Sequence, residues 1–218
     1  MSTRPEDSER PGLVFFGRMA ASISHELKNV LAIVNENAGL LDDHANLVDQ
    51  GVPVDGARLA RIAAQLGQQV RRADAIVRNL HQLAHSTDAC QARIDLNTLM
   101  QLLADLHGPL AKLRGVSLEL LPAPTPILLD TDPMLLESLV AACLEWALHQ
   151  ASGERIQVAV QAAADGALLC FSPVAGPGAS FPPAPVQRLA ARLGATIRPS
   201  AQEGNLLLIL PKATIDPP

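Results

Sequence analysis

The chain has 218 residues, 48% of them hydrophobic and 18% charged, a balance that excludes an intrinsically disordered protein and allows one large or two small domains. Its net charge of −5 argues against nucleic acid as a partner, because neutralising phosphates requires an excess of Lys and Arg. No apolar run is long enough to span a membrane and the first residues contain no signal-peptide core, so we expect a cytoplasmic protein without a membrane partner.

Residues 1–12 are polar and contain two prolines, which indicates a disordered tail. From 13 to 49 apolar residues recur in alternating steps of four and three, and this heptad spacing predicts a long helix with one apolar stripe. A break at 51–56 separates it from a second periodic stretch that fades at 85–88. Two helices joined by a short turn predict an antiparallel hairpin, and we expect two copies to form a homodimeric four-helix bundle. The apolar residues of the predicted stripe are Phe16, Ala20, Ile23, Leu27, Val30, Val34, Leu41 and Val48, and Asn37 and His44 fill the stripe positions between them.

The pattern changes after the hairpin, so we divide the chain into a hairpin domain at 13–88 and a second domain at 89–218. A helix is predicted from an N-cap at Asn97 to Gly115, and a longer helix begins at Pro133. Predicted strands cover 116–121, 127–130, 155–163, 167–171, 195–199 and 205–210, with a short helix at 186–193. The fold class is therefore α followed by α+β: a helical hairpin, then a sandwich of one sheet with helices on one face.

The first helix contains a compact group of polar residues around His25. His25 lies two residues beyond the stripe position Ile23, which directs its side chain to solvent. An exposed neutral imidazole is a nucleophile; Glu26 could fix its tautomer, and Asn29, one turn on, could position a phosphoryl oxygen or a water. For a lone histidine, a solvated side chain on an amphipathic helix is the simpler interpretation.

The surrounding residues favour the chemical interpretation. The run 17–29, Gly-Arg-Met-Ala-Ala-Ser-Ile-Ser-His-Glu-Leu-Lys-Asn, resembles the phosphoacceptor box of sensor histidine kinases, and the order of hairpin and α+β domain is also similar over nearly the whole chain. The resemblance implies that His25 accepts a phosphoryl group and passes it to an aspartate of a response-regulator receiver domain. It also implies that Asn29 can support dephosphorylation of the regulator. We expect an apolar patch near His25, involving Val30 or Ile33, to contact a receiver helix.

The second domain departs from that family where the family binds ATP. Ala142 and Trp146 stand where the resemblance places two asparagines, and Val174 stands where it places an aspartate that binds adenine. Gly176 and Gly178 follow as simple turn glycines, and no glycine-rich lid comes after them. We therefore expect a degenerate histidine-kinase-type ATPase domain without ATP or a metal site of its own, and magnesium would come from the partner receiver domain.

These features together predict a histidine phosphotransfer protein of a two-component phosphorelay, similar to dimeric kinase relatives with a degenerate catalytic domain. Its partners would be an upstream hybrid or sensor kinase, receiver domains and a second copy of the chain. Two alternatives stay open: an active or bifunctional histidine kinase/phosphatase with an unusual ATP site, and a non-enzymatic pseudokinase scaffold that binds a response regulator. ATP binding would favour the first alternative, and a biological effect that survives replacement of His25 would favour the second.

Other polar residues have simpler explanations than a site. His81 and His85 are four residues apart, but no carboxylate or cysteine at ligand spacing accompanies them, so we predict no metal site there. The three cysteines are far apart in sequence and are expected to be reduced. Arg71 and Arg72 are expected first to form salt bridges within the bundle and second to contact an acidic receiver surface.

Overall fold

The computed structural model describes residues 11–151, 155–174, 181–200 and 204–213. The chain divides into two compact units, one made of residues 17–82 and the other of the described residues before and after that segment. Of the predicted tail at 1–12, only the last two residues are described, and they belong to the first helix. Within the described ranges, no helix is both long enough and apolar enough to cross a membrane.

Two long helices form the predicted hairpin, α1 (Pro11–Asp49) and α2 (Gly56–His85). Gly51 follows α1 with a φ of 73°, a conformation that glycine adopts without strain. The carboxylate of Asp55 then accepts a hydrogen bond from the backbone N–H of Ala57 at 2.9 Å, which satisfies a free donor in the first turn of α2. Local turn chemistry therefore ends one helix and begins the next.

The buried stripe of α1 differs from the predicted one. Within the hairpin unit, the residues less than one-tenth exposed are Met19, Ile23, Val30, Asn37 and His44 on α1 and Ile62 and Ile76 on α2. Of the predicted stripe, Leu27, Val34 and Leu41 are only half-buried and Val48 is 58% exposed. The deeper stripe runs through Met19, Ile23, Val30, Asn37 and His44, and the predicted stripe shares all of these except Met19 with it, while its other residues are less buried in the single chain.

In its described residues, the second unit contains seven strands and three complete helices. The strands are β1 (Ala92–Asp95), β2 (Ser117–Leu121), β3 (Leu128–Thr131), β4 (Arg155–Ala163), β5 (Gly166–Ser172), β6 (Thr196–Ser200) and β7 (Asn205–Pro211). The helices are α3 (Leu96–Leu113), α4 (Pro133–His149) and α5 (Ala184–Arg192). Five strands form a mixed sheet in the order β2-β4-β5-β7-β6, in which only β2 and β4 are parallel, while β1 and β3 form a separate antiparallel pair.

The core of this unit lies between the sheet and the helices. Alternate residues of the central strands are buried, as Val158, Leu169 and Leu208 show with at most 1% exposure. Helix α4 is apolar around nearly its whole circumference because it packs against β5, β7, α3 and α5. The sandwich fold class predicted from the sequence is confirmed.

Two local predictions in this unit were wrong. The N-cap of α3 is Asp95, not Asn97, and its carboxylate accepts the backbone N–H of Asn97. The side-chain amide of Asn97 instead donates to the carbonyl of Ala123 and accepts a hydrogen bond from its N–H. These two bonds join α3 to the proline-rich connector after β2. Strand β1 was not predicted, because four residues are too few to show a clear alternation.

Candidate functional site

His25 lies on the exposed side of α1. Ile23, two residues earlier, is 4% exposed and lies in the buried stripe, so the helical rotation between them turns His25 outward, in agreement with the sequence analysis. Ala21, one turn before, and Ala32, two turns after, are also exposed and have short side chains. The imidazole is therefore open to approach by a group carried on another protein.

Asn29 is the side chain that reaches the imidazole. Its Nδ2 lies 3.4 Å from Nδ1 of His25, across the i, i+4 spacing of one helical turn. The distance is at the long end for a hydrogen bond, and both side chains are exposed. Because an amide presents a donor and an acceptor, rotating it lets Oδ1 accept a proton held on Nδ1, which leaves the lone pair of Nε2 free to attack an electrophile.

Glu26, expected to orient His25, does not contact it in this structure. Its Oε1 accepts a hydrogen bond from Nη2 of Arg72 at 2.9 Å, an ion pair that joins α1 to α2. Glu26 lies on the deeper stripe between Ile23 and Val30, and its side chain is 21% exposed against 48% for Arg72. The predicted salt bridge within the bundle is confirmed for Arg72, and it occupies the carboxylate that was assigned to the imidazole.

The residues predicted to form an apolar patch beside His25 are not exposed in the structure. Val30 is completely buried and Ile33 is half-buried, because both lie on the deeper stripe of α1. The prediction was therefore wrong for Val30, which no receiver helix could contact. Among the described residues of the hairpin unit, the exposed large apolar residues are Leu31 at 54%, Leu47 at 36%, Val48 at 58%, Val52 at 44%, Val70 at 53% and Val77 at 52%.

The predicted degenerate nucleotide positions are buried or half-buried. Ala142 and Trp146 are half-buried and one turn apart on α4. The Trp146 ring stacks on Phe181, with centroids 4.5 Å apart and an interplanar angle of 22°. Val174 is 3% exposed, and its backbone N–H donates to the carbonyl of Gly204 at 2.8 Å.

None of these three side chains has an atom that could ligate magnesium or accept a hydrogen bond from the adenine amino group, since the indole N–H of Trp146 is only a donor. Gly176 and Gly178 lie outside the described residues. Over the ranges that the structure covers, no group of three or more His, Cys, Asp or Glu is arranged to hold a metal ion. The expectation that no carboxylate accompanies His81 and His85 was wrong for His85, whose Nδ1 contacts Oδ2 of Asp88 at 2.6 Å, three residues on.

Sequence reasoning missed Glu137, a carboxyl group that is only 4% exposed on α4. Burial raises the pKa of Glu137 from 4.5 to about 7, the nearby carboxylate of Asp132 adds to the rise, and a hydrogen bond with Ser86 opposes it. The available signal was one acid inside the apolar run Met-Leu-Leu-Glu-Ser-Leu-Val of α4. Burial also raises the pKa of the Cys143 thiol to about 12, so that thiol is an inert core group.

No protein-family model matches this sequence, and no curated protein matches it either. Among solved structures, full-length ShkA in complex with AMPPNP is similar at 14% identity and a TM-score of 0.50, covering 92% of this chain and 47% of that one. Histidine kinase AdeS of Acinetobacter baumannii is 15% identical, with a TM-score of 0.49 over 86% of this chain and 98% of that one. The ATP binding domain of PrrB from Mycobacterium tuberculosis is 18% identical, with a TM-score of 0.47 over 57% and 98% of the two chains. A long helical hairpin followed by an α/β sandwich with a mixed sheet is the histidine kinase architecture, and this chain has a sensor histidine kinase-like fold.

Proposed function

We propose that this protein is a cytoplasmic histidine phosphotransfer protein of a two-component phosphorelay. The observation that carries the proposal is the exposed imidazole of His25, with the Asn29 amide 3.4 Å from Nδ1, on the first helix of a histidine kinase-like hairpin. An upstream hybrid or sensor kinase would supply the phosphoryl group through a receiver domain. A second receiver domain would take it away.

The transfer step uses the ring nitrogen of His25 that Asn29 does not contact. Nδ1 faces Asn29 along the helix, so Nε2 is the nitrogen that a partner can reach. Its lone pair attacks the phosphorus of a receiver's aspartyl phosphate, the P–N bond forms, and the bond to the aspartate oxygen breaks as the carboxylate leaves. The reverse sequence unloads His25 onto the second receiver. Magnesium held by the receiver would neutralise charge on the phosphoryl oxygens.

We further propose that the sandwich does not bind ATP. Ala142 and Val174 have no polar side-chain atom, and Trp146, which stacks on Phe181, stands at one of the two positions where the resemblance implies an asparagine. Trp146 is the only tryptophan of the chain, so its fluorescence reports directly on this region. Adding ATP with magnesium at millimolar concentration should leave that fluorescence unchanged. A saturable change at micromolar ATP would instead favour the active-kinase alternative.

The hairpin is proposed to dimerise. Leu27, Val34 and Leu41 on α1 are only half-buried, and Val70 and Val77 on α2 are about half exposed. The α2 residues are seven positions apart, as are those of α1, so each helix carries an apolar stripe that its own partner helix does not cover. A second copy related by a two-fold axis would bury both stripes in a four-helix bundle.

The proposal is tested by following a radiolabelled phosphoryl group. The protein is mixed with a receiver domain labelled on its aspartate, and the label is then chased with an unlabelled second receiver. The label should move onto His25 and off again, and His25→Gln should abolish both steps. If the protein binds receivers tightly but never carries the label, it is the scaffold of the second alternative.

A further inference from the structure

We propose that Arg72 is a positioning residue for phosphoryl loading: its guanidinium holds and neutralises the Glu26 carboxylate, so that the adjacent His25 can accept an anionic phosphoryl group. The inference rests on the proposed function and extends it to a residue on the other helix of the hairpin. The contact that carries it is the 2.9 Å pair between Arg72 Nη2 and Glu26 Oε1.

Glu26 needs a partner because of where it lies. It occupies the deeper stripe of α1, three residues after Ile23 and four before Val30, both of which are buried. A carboxylate on such a stripe is partly removed from water and is stabilised by an opposite charge. Among the described residues, Arg72 is the cation that contacts it.

The same carboxylate is adjacent in sequence to the phosphorylation position. A phosphoryl group on Nε2 would bring about two negative charges to His25 at neutral pH, next to the negative charge of Glu26. Like charges on neighbouring residues repel, and the repulsion would oppose loading and accelerate loss of the group. Arg72 cancels the charge of Glu26 and keeps its oxygen turned toward α2, away from the imidazole.

Arg71 provides the matched control. It is an exposed arginine on the same helix, one position earlier, and its Nη1 lies back over its own helix beside Gly67 instead of reaching α1. Removing its charge changes the net charge of the hairpin as much as removing that of Arg72. Only the Arg72 change leaves Glu26 without its partner.

The test uses phosphoramidate, a small phosphodonor that transfers its phosphoryl group to an imidazole with loss of ammonia, so that receiver docking does not enter the measurement. Loading of His25 and decay of the phosphohistidine are measured for wild type, Arg72→Gln, Arg71→Gln, Glu26→Gln and the Glu26→Gln/Arg72→Gln pair. We expect Arg72→Gln to load about tenfold more slowly than wild type and to lose the group faster, and Arg71→Gln to match wild type. In the Glu26→Gln background, Arg72→Gln should have little further effect.

Rescue separates charge compensation from a purely structural role. Arg72→Lys keeps the positive charge and should load within about threefold of wild type, while thermal melting monitors hairpin stability in every variant. Loading by Arg72→Gln at the wild-type rate, or an equal loss from Arg72→Gln with and without Glu26, would overturn the inference and leave the phosphorelay proposal intact. If wild-type His25 takes up no phosphoryl group from phosphoramidate or from a receiver, the proposed function itself is wrong, and this inference with it.

Discussion

The hairpin and the sandwich differ in where they keep polar side chains. The hairpin keeps them at the position that the resemblance assigns to chemistry: His25 and Asn29 are exposed, and Glu26 is paired with Arg72. The sandwich has Ala142, Trp146 and Val174 at the corresponding nucleotide positions, and packs an aromatic pair there. The two units therefore differ in the polar groups present at the positions that the resemblance singles out, although together they have the histidine kinase-like fold.

The largest expected effect on phosphoryl transfer is that of replacing His25. Replacing His25 with Gln should reduce phosphoryl transfer by more than about a thousandfold, because the nucleophile is lost while the exposed surface position tolerates the change. Transfer of label from a phosphorylated receiver is the measurement, and circular dichroism checks the helices. Residual transfer at the wild-type rate would mean that another residue carries the phosphoryl group.

The second effect concerns the exposed apolar stripe of α2. Changing Val70 and Val77 together to Asn should weaken the dimer by at least about a hundredfold, since four valine side chains would be lost from the dimer interface. Analytical ultracentrifugation over a concentration series measures the dissociation constant. Leu113→Asn is the control, because Leu113 is 85% exposed on α3 of the other unit. A monomeric wild-type protein, or an unchanged dimer in the double variant, would contradict the proposed bundle.

The architecture could be predicted from the sequence because helices and turns are indicated by residues that lie close together in the chain. Heptad spacing predicted both long helices, and Asp165-Gly166 predicted the β4–β5 hairpin. The two turn residues are Ala164 and Asp165, and Gly166 begins β5 with a φ of 152°, where an added Cβ would collide with the backbone oxygen of Leu210. Strand β1 was missed because its pairing with β3 spans more than thirty residues and leaves little trace in four positions.

The site was only partly predictable for a related reason. Exposure of His25 follows from helical phase, but the partner of Glu26 depends on how α1 and α2 align, and 46 residues separate the two members of the pair. Heptad spacing placed Ile23, Val30, Asn37 and His44 on the stripe of α1, but it could not tell that Leu27, Val34 and Leu41 on the same stripe would be less buried. The burial of Glu137 likewise depends on packing around α4, which no local pattern reports.

The third expected effect is a pH dependence of stability that Glu137 causes in the second unit. Because the pKa of Glu137 rises to about 7 on folding, the folded protein binds more protons than the unfolded chain between about pH 4.5 and 7, and stability falls as pH rises through that window. Glu137→Gln should remove this fall. The free energy of unfolding of the variant minus that of wild type should therefore increase by roughly 2 kcal/mol from pH 5 to pH 8. Urea unfolding at the two pH values measures the difference. If the free energy of unfolding changes equally with pH in the two proteins, Glu137 is ionised in the folded state at both pH values.

The smallest effect concerns Asn29. Its contact with His25 is exposed and long, so Asn29→Ala should slow transfer by roughly fivefold, the equivalent of about 1 kcal/mol for one hydrogen bond. Asn35→Ala, an exposed asparagine change on the same helix, should leave the rate unchanged. If the two variants behave alike, the amide does not assist His25.

The central claim is that His25 exchanges phosphoryl groups with receivers and takes none from ATP. The most direct measurement presents the same protein with two donors in parallel, radiolabelled ATP with magnesium in one reaction and a radiolabelled phosphoreceiver in the other, and maps the label to the residue. The account predicts labelled His25 in the receiver reaction within minutes and no label above that of His25→Gln in the ATP reaction. Label on wild-type His25 from ATP alone would contradict it.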